Sequence, residues 1–166
     1  MQQQQHPTWV GVWCSGVMSG TVTAGEEWLK GSCHCGDVAF EVLVAQPIDV
    51  YKCKCSICWM KQNHHFVVPH QKLRLLGNAN LENLLDEYTF GTGAAKHYAY
   101  KICNICAFYQ PRSNPHGFGI TIYCMERYKG NPNQPNRLQV NFHEFDGIHW
   151  EESIQTSSIV AKSEVR

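Results

Sequence analysis

The chain has 166 residues, with 14 basic and 14 acidic side chains and therefore no formal net charge at neutral pH. That length suits one domain with its own core. The balanced charge lacks the basic surface expected of nucleic-acid-binding domains, which argues against direct nucleic-acid binding. No run of about 20 apolar residues is present, so no membrane contact through a spanning segment is expected.

Residues 1–27 are predicted to form a disordered extension. Four glutamines follow Met1, and Ser, Gly and Thr are frequent in the second half of the segment, a composition that buries little apolar surface. No Lys or Arg precedes the mildly apolar stretch at 9–22, which argues against a secretory signal. We therefore expect an intracellular protein, cytoplasmic or nuclear, and Met18 is an alternative start.

The folded part is predicted to be mainly β, built of short antiparallel strands. Apolar residues alternate with others between Asp37 and Val44, which is the period of a strand. Turn residues such as Pro69 and Gly91 bound several of the other segments. These further strands are predicted at 65–68, 84–90, 97–102, 118–124 and 138–145.

Three other segments complete the predicted organisation. Residues 129–136 are rich in Asn, Pro and Gly, which predicts an exposed loop. Residues 148–155 could form a short helix, and residues 153–166 are expected to be a frayed tail. The folded domain is therefore predicted to span residues 28–152.

Seven of the nine cysteines lie in three tight clusters, which are Cys33 and Cys35, then Cys53, Cys55 and Cys58, and finally Cys103 and Cys106. Disulfides are the alternative interpretation. An odd number of cysteines and the poor bridging geometry of Cys-x-Cys neighbours argue against it. Thiols stay reduced inside cells, so the clusters favour metal binding.

Seven thiolates divide most simply into four and three. A structural zinc takes four protein ligands, whereas a catalytic zinc takes three and keeps one position open. The middle cluster can supply three ligands by itself, and the two outer pairs would then share a second metal. Two zinc ions per chain are therefore expected. An iron–sulfur cluster is an alternative for an all-cysteine ligand set, although the spacing fits it less well.

The motifs resemble a known family. Residues 31–42 (GSCHCGDVAFEV), 53–58 (CKCSIC) and 103–106 (CNIC) resemble, in this order, the three motifs of the family of glutathione-dependent formaldehyde-activating enzymes and centromere protein V. Residues 61–69 and 111–120 are most similar to the centromere protein V branch. The resemblance covers about residues 28–152.

This resemblance implies a β-tent fold with zinc-binding turns. It also implies a structural zinc on Cys33, Cys35, Cys103 and Cys106, and an active-site zinc on Cys53, Cys55 and Cys58. The implied activity is that of a carbon–sulfur lyase, the reversible addition of the thiol of glutathione to formaldehyde. Glutathione, a small-molecule thiol, is the implied partner.

The chain departs from the family after the third motif. Ala107 follows Cys106 where the family usually has Gly, and Phe108 and Tyr109 come at once. The segment is about three residues shorter than the family pattern. We expect altered geometry around the structural zinc and at the edge of any pocket that this segment borders.

The other candidate residues carry weaker signals. His64 and His65 follow the middle cluster closely and are candidate proton-transfer residues, although histidines of this kind are more often structural. Arg112 and Lys61 could bind a carboxylate of glutathione, or could be solvated charges. Cys124 is predicted to be a buried apolar side chain and Cys14 to have no role. The aromatic residues expected in the core or in a pocket wall are Trp59, Phe66, Phe108 and Phe118.

Two functions from different classes follow. The first is a zinc-dependent carbon–sulfur lyase that acts on a thiol–aldehyde adduct. The second is a non-catalytic, zinc-stabilised binding module associated with chromatin or the cytoskeleton, as the centromere protein V branch suggests. A shared fold does not by itself establish a shared reaction.

Overall fold

The computed structural model describes residues 22–77, 81–128, 133 and 135–164. Most of the predicted N-terminal extension, with Cys14 and Met18, lies outside these residues, and so does most of the predicted loop at 129–136. Within the described residues, no helix is both long and apolar enough to cross a membrane.

The described part of the chain contains ten strands in two sheets, as the mainly β prediction requires. The smaller sheet has the order β1-β2-β5 and the larger one the order β10-β3-β4-β9-β8-β7-β6. The strands are β1 (Glu26–Ser32), β2 (Ala39–Ala45), β3 (Ile48–Cys53), β4 (His64–Pro69), β5 (Leu73–Leu76), β6 (Leu85–Tyr88), β7 (Lys96–Tyr100), β8 (Phe108–Gln110), β9 (Gly117–Thr121) and β10 (Val140–Phe145).

One pairing differs from the predicted antiparallel arrangement. β10 runs parallel to β3, with Val140 opposite Ile48 and Phe145 opposite Cys53. The N–H of Ile48 also donates to the carbonyl of Gln139, which extends this contact. The alternating pattern that predicts a strand carries no information about the direction of its neighbour, and the two strands are separated by about ninety residues of chain.

Helical segments are short. The α-helices are α1 (Ser56–Lys61), α2 (Leu81–Leu84) and α3 (Trp150–Thr156), and single 3₁₀ turns occur at His70–Lys72, Ile122–Cys124 and Val160–Ser163. α3 confirms the helix predicted at 148–155. α1 was not predicted, because six residues are too few to show a helical period.

The main core joins the two sheets. Phe40 of the small sheet meets Phe108 of the large sheet edge-on, with ring centroids 5.8 Å apart. Phe108 in turn contacts Phe118 at 5.8 Å, and all three side chains are buried. Gly31 permits this packing, since a Cβ at that position would lie 2.5 Å from Cζ of Phe40. The first motif therefore contributes a glycine that leaves room for the Phe40 ring, in addition to its cysteines.

The opposite face of the large sheet is covered by the C-terminal segment, which we expected to fray. Ile159 is 3% exposed and packs in a second apolar cluster with Tyr51, Val67 and Phe145. The buried Asn114 amide donates to the carbonyls of Ile159 and Val160 at 2.9 and 3.0 Å. These contacts hold residues 159–163 against the sheet, and the composition of the tail gave no sign of them.

Two candidate metal centres

The first cysteine group joins two distant parts of the chain. One sulfur from each of Cys33, Cys35 and Cys103 lies within 4.8 Å of the other two. Cys33 and Cys35 occupy the turn between β1 and β2, where the N–H of Cys33 bonds to the carbonyl of Val38. Gly36 has a φ of +89°, a backbone conformation that glycine adopts without strain. Gly36 therefore allows the tight turn that carries both cysteines.

Cys103 reaches this group from the turn that follows β7. The N–H of Asn104 donates to the carbonyl of Tyr100 at 2.7 Å, and Asn104 has a φ of +57°. Burial raises the pKa of Cys103, but hydrogen bonds from the N–H groups of Cys35 and Ile105 outweigh it and lower the pKa to about 7. The turn thus presents a sulfur whose anionic form is stabilised by backbone donors.

Cys106 lies outside this group of three. Its Sγ contacts the carbonyl oxygen of Phe108 at 3.6 Å, and its own carbonyl accepts a hydrogen bond from Thr121 Oγ1 at 2.7 Å. The structure therefore brings together three of the four cysteines that the family pattern assigns to a structural zinc.

The second group consists of Cys53, Cys55 and Cys58, whose sulfurs also lie within 4.8 Å of one another. Cys53 ends β3, Cys55 precedes α1, and Cys58 lies inside that helix. The loop after β10 closes over them: a Cβ at Gly147 would lie 2.5 Å from Cys53 Sγ. A side chain at position 147 would therefore force the loop or the cysteines to move.

Hydrogen bonds among the three thiols of the second group shift their pKa values in different directions. Hydrogen bonds from Cys53 and Cys58 lower the pKa of Cys55 to about 2, helped by the N–H groups of Cys58 and Ile57. The hydrogen bond with Cys55 is the main reason that the pKa of Cys53 rises to about 11, and the hydrogen bonds with Cys53 and Cys55 raise the pKa of Cys58. Three clustered sulfurs, with backbone donors aimed at one of them, fit a thiophilic cation such as zinc.

A cleft of about 150 Å³ opens beside the second group and is lined by Cys53, Cys58, Lys52, Lys54 and His64. Trp59, which was predicted to lie in the core or in a pocket wall, forms another part of the wall of this cleft. Its side chain is 65% exposed and is therefore not in the core. Lys54 lies 3.4 Å from Glu144, which also lines the cleft. The two lysines were missed from the sequence, although both are adjacent to Cys53.

The two candidate histidines have different surroundings. His64 lines the cleft, and its Nδ1 lies 2.7 Å from the hydroxyl of Tyr123. His65 is 2% exposed, with Nε2 lying 2.8 Å from the hydroxyl of Tyr109. Burial lowers the pKa of His65 to about 4 and also lowers the pKa of His64. Both rings are therefore neutral near pH 7, and His64 is the one that lines the cleft.

A third histidine, His97, was not singled out from the sequence. Its ring stacks on Tyr109 with centroids 4.8 Å apart and an interplanar angle of 5°. It is buried, and its Nδ1 has no hydrogen-bond partner among the described residues. Burial lowers its pKa to about 4. His65, Tyr109 and His97 thus form a buried polar row across the sheet.

The remaining candidates lie elsewhere. Arg112 binds Glu151 at 2.8 Å and stacks over Trp150 at 3.8 Å, so its charge is engaged on α3. Lys61 does not line the cleft. Cys124 is buried, as predicted, and so are the predicted aromatic core residues Phe66, Phe108 and Phe118.

Two comparisons bear on this geometry. The family model described as glutathione-dependent formaldehyde-activating enzyme matches residues 28–143. The crystal structure of a Rhodobacter sphaeroides protein is similar in fold, with a TM-score of 0.54 and 32% sequence identity. That match covers 68% of this chain and 100% of the other. The matched family range contains all seven clustered cysteines.

Proposed function

Because the chain belongs to the family of glutathione-dependent formaldehyde-activating enzymes, we propose that it adds the thiol of glutathione to formaldehyde. The observation that carries the proposal is the position of Cys53 and Cys58, two members of a three-cysteine group, in the wall of an open cleft. A group with three protein ligands leaves one coordination position of a tetrahedral metal for substrate.

In the proposed reaction, the glutathione sulfur forms a bond to the formaldehyde carbon, and the carbonyl oxygen takes up the proton that the thiol loses. The product is S-hydroxymethylglutathione, and the reverse reaction breaks the same carbon–sulfur bond. Zinc bound by Cys53, Cys55 and Cys58 would supply Lewis-acid stabilisation of a thiolate at the open position. A reducing intracellular compartment, where we place the protein, keeps both glutathione and these cysteines reduced.

The charged groups around the cleft suit glutathione. Its two carboxylates match the ammonium groups of Lys52 and Lys54, and its amino group matches Glu144. Lys54 and Glu144 are mutual partners at 3.4 Å and are both more than half exposed. An exposed ion pair of this kind contributes little stability, so substrate charges can replace it at low cost.

His64 is the residue that we assign to proton transfer. Its ring lines the cleft beside Cys53 and Cys58, and its neutral form can accept the thiol proton and then donate it to the adduct oxygen. The Tyr123 hydroxyl fixes the ring through Nδ1, so Nε2 is the nitrogen that would exchange the proton. His65 instead has a structural role, since its ring is buried against Tyr109.

The test measures by NMR the rate at which ¹³C-formaldehyde exchanges with its glutathione adduct in the presence of the zinc-loaded chain. This rate is compared with the spontaneous rate of the same exchange. We expect acceleration that falls by on the order of 10²-fold in His64→Gln and is abolished in Cys55→Ser. His116→Gln, a change at an exposed histidine outside the cleft, is the matched control. A zinc-loaded chain without acceleration would overturn the proposal and favour the zinc-stabilised binding module.

A further inference from the structure

Three side chains that line the cleft come from three neighbouring strands. Lys52 of β3 is opposite His64 of β4 and also opposite Glu144 of β10, and all three line the cleft. Residues opposite one another on neighbouring strands place their side chains on the same face of the sheet. The ammonium that we propose to bind a carboxylate is therefore next to the imidazole that we propose to transfer the proton.

Phe142 contacts two members of this row. Nζ of Lys52 lies over its ring, 4.5 Å from the ring centroid. The ring of His64 meets it edge-on, with centroids 6.0 Å apart and an interplanar angle of 74°. Phe142 precedes Glu144 by two positions on β10, so the two side chains lie on the same face of that strand. One aromatic ring thus touches both of the groups to which we assign work in the cleft.

The contact with Phe142 restrains a flexible lysine. An ammonium is attracted to the negative face of an aromatic ring, and a free lysine side chain loses much rotamer freedom when it is fixed. An ammonium that is already held in place binds a carboxylate at a smaller entropic cost. The three N–H donors of Lys52 also leave it able to bind an anion while it lies over the ring.

The ring of His64 is restricted by two aromatic side chains. The hydroxyl of Tyr123 lies 2.7 Å from its Nδ1, and Phe142 packs against the ring edge-on. Phe142 is itself 41% exposed and belongs to β10, an edge strand of the larger sheet. A side chain so exposed contributes little to the core, so its contacts with His64 and Lys52 are its main interactions at the cleft.

We propose that Phe142 is a positioning residue that acts through Lys52 and His64, an inference that rests on the proposed function. Its ring holds the Lys52 ammonium where it binds a carboxylate of the substrate, and it restricts the His64 ring that transfers the proton. The substrate class is therefore a thiol that carries a carboxylate, as glutathione does, and small thiols without a carboxylate gain nothing from Phe142.

The test compares Phe142→Leu with the parent chain, both loaded with zinc. Calorimetry without formaldehyde should show glutathione binding that is weaker by about 2–5-fold, the range expected for loss of an exposed cation–aromatic contact. Binding of β-mercaptoethanol, which has no carboxylate, should not change. The rate of adduct exchange at saturating glutathione should fall on the order of 10-fold, because the His64 ring is less well oriented.

Two further variants separate positioning from a general effect on the structure. Phe142→Tyr keeps the aromatic ring and should retain the glutathione affinity of the parent chain. Tyr88→Leu is the matched control, because it removes a 54% exposed aromatic side chain from β6, the opposite edge strand of the same sheet. It should change neither glutathione binding nor the exchange rate.

A double variant tests whether Phe142 acts through Lys52. In a Lys52→Met background, Phe142→Leu should cause no additional loss of glutathione affinity, because no ammonium remains for the ring to hold. An undiminished loss in that background, or unchanged affinity in Phe142→Leu alone, would overturn the inference. An equal loss of affinity for β-mercaptoethanol would also overturn it.

The rates distinguish this inference from the proposed function. A parent-like exchange rate in Phe142→Leu at saturating glutathione would overturn the role of Phe142 at His64. A parent chain that binds glutathione without accelerating the exchange would overturn the proposed function, and the affinity comparison would still decide whether Phe142 positions Lys52. A parent chain that does not bind glutathione would overturn both.

Discussion

The hydroxyl of Tyr109 lies 2.8 Å from Nε2 of His65, although the two residues belong to strands that are not neighbours. Strand β9 lies between them, and its Gly119 is directly opposite both Tyr109 and Val67. A Cβ at Gly119 would lie 2.5 Å from Cε1 of Tyr109. The ring can cross the middle strand only because that position has no side chain.

Replacing Gly119 by alanine should therefore destabilise the protein. The added methyl group overpacks a buried site, and we expect a loss of about 1–3 kcal/mol in the free energy of unfolding, measured by denaturant titration. The same change in a Tyr109→Leu background should cost less, because the ring that it strikes is gone. Equal costs in the two backgrounds would show that the clash is not with Tyr109.

Replacing Tyr109 by phenylalanine should remove the hydrogen bond without changing the shape of the core. The buried Nε2 of His65 then loses its partner, and we expect a loss of about 1–3 kcal/mol in unfolding free energy. Tyr123→Phe is the matched control, because it removes the hydrogen bond to His64 on a side chain that is 45% exposed. A larger loss of stability in the control than in Tyr109→Phe would contradict the assignment.

Replacing Gly147 by alanine should weaken metal binding at the second cysteine group. The new Cβ would lie 2.5 Å from Cys53 Sγ and 2.8 Å from the backbone nitrogen of Cys55, so the loop must move. We expect zinc affinity at that group to fall at least 10-fold in chelator competition, with the first group unaffected. Ile148→Ala, at an adjacent side chain that is 69% exposed, is the control and should retain both zinc ions.

Replacing Asn114 by alanine should release the C-terminal segment. The amide of Asn114 donates to Ile159, Val160 and Ser163, so its loss removes three hydrogen bonds from a buried position. We expect a cost of about 1–3 kcal/mol and faster hydrogen exchange at residues 159–163. Asn83→Ala, at an exposed asparagine of α2, should leave that exchange unchanged. Unaltered exchange in Asn114→Ala would show that apolar packing alone holds the segment.

The ion pair between Asp49 and Lys162 should make the attachment of the same segment depend on pH. The hydrogen bond from Lys162 is the main reason that the pKa of Asp49 falls from its ordinary value of 3.8 to about 2. A lowered folded-state pKa means that the stabilisation is complete above about pH 4 and is lost as the pH falls toward 2.

Because both side chains are about one-third exposed, we expect at most about 1 kcal/mol from this pair. The difference in unfolding free energy between the parent chain and Asp49→Asn should therefore shrink as the pH is lowered from 4 to 2. A difference that stays constant over this range would exclude the carboxylate charge as its source.

Local patterns in the sequence were sufficient to predict many of the strands. The alternation at 37–44 predicts β2, and the apolar run before Pro69 predicts β4, because strand period and proline act on neighbouring residues only. The parallel pairing of β10 with β3 depends on contacts between residues about ninety positions apart, and no local pattern records them. The hydrogen bond that Asn114 donates to the carbonyl of Ile159 also joins distant residues, and no local pattern predicts it.

At the two candidate metal centres, the sequence by itself determined which donor atoms are present. The spacing predicts clustered thiols and a middle cluster that can supply three ligands alone. Cys53, Cys55 and Cys58 are close along the chain, and they meet in the structure. The ligand count also predicts that the two outer pairs meet, and Cys103 does join Cys33 and Cys35. That Cys106 does not join them was decided only by the tertiary structure. Cys103 lies on a turn that is closed by the hydrogen bond from the Asn104 N–H to the Tyr100 carbonyl. Cys106 lies next to the paired strands β8 and β9 and is not one of the grouped cysteines, because long-range pairing rather than local spacing sets the position of its backbone.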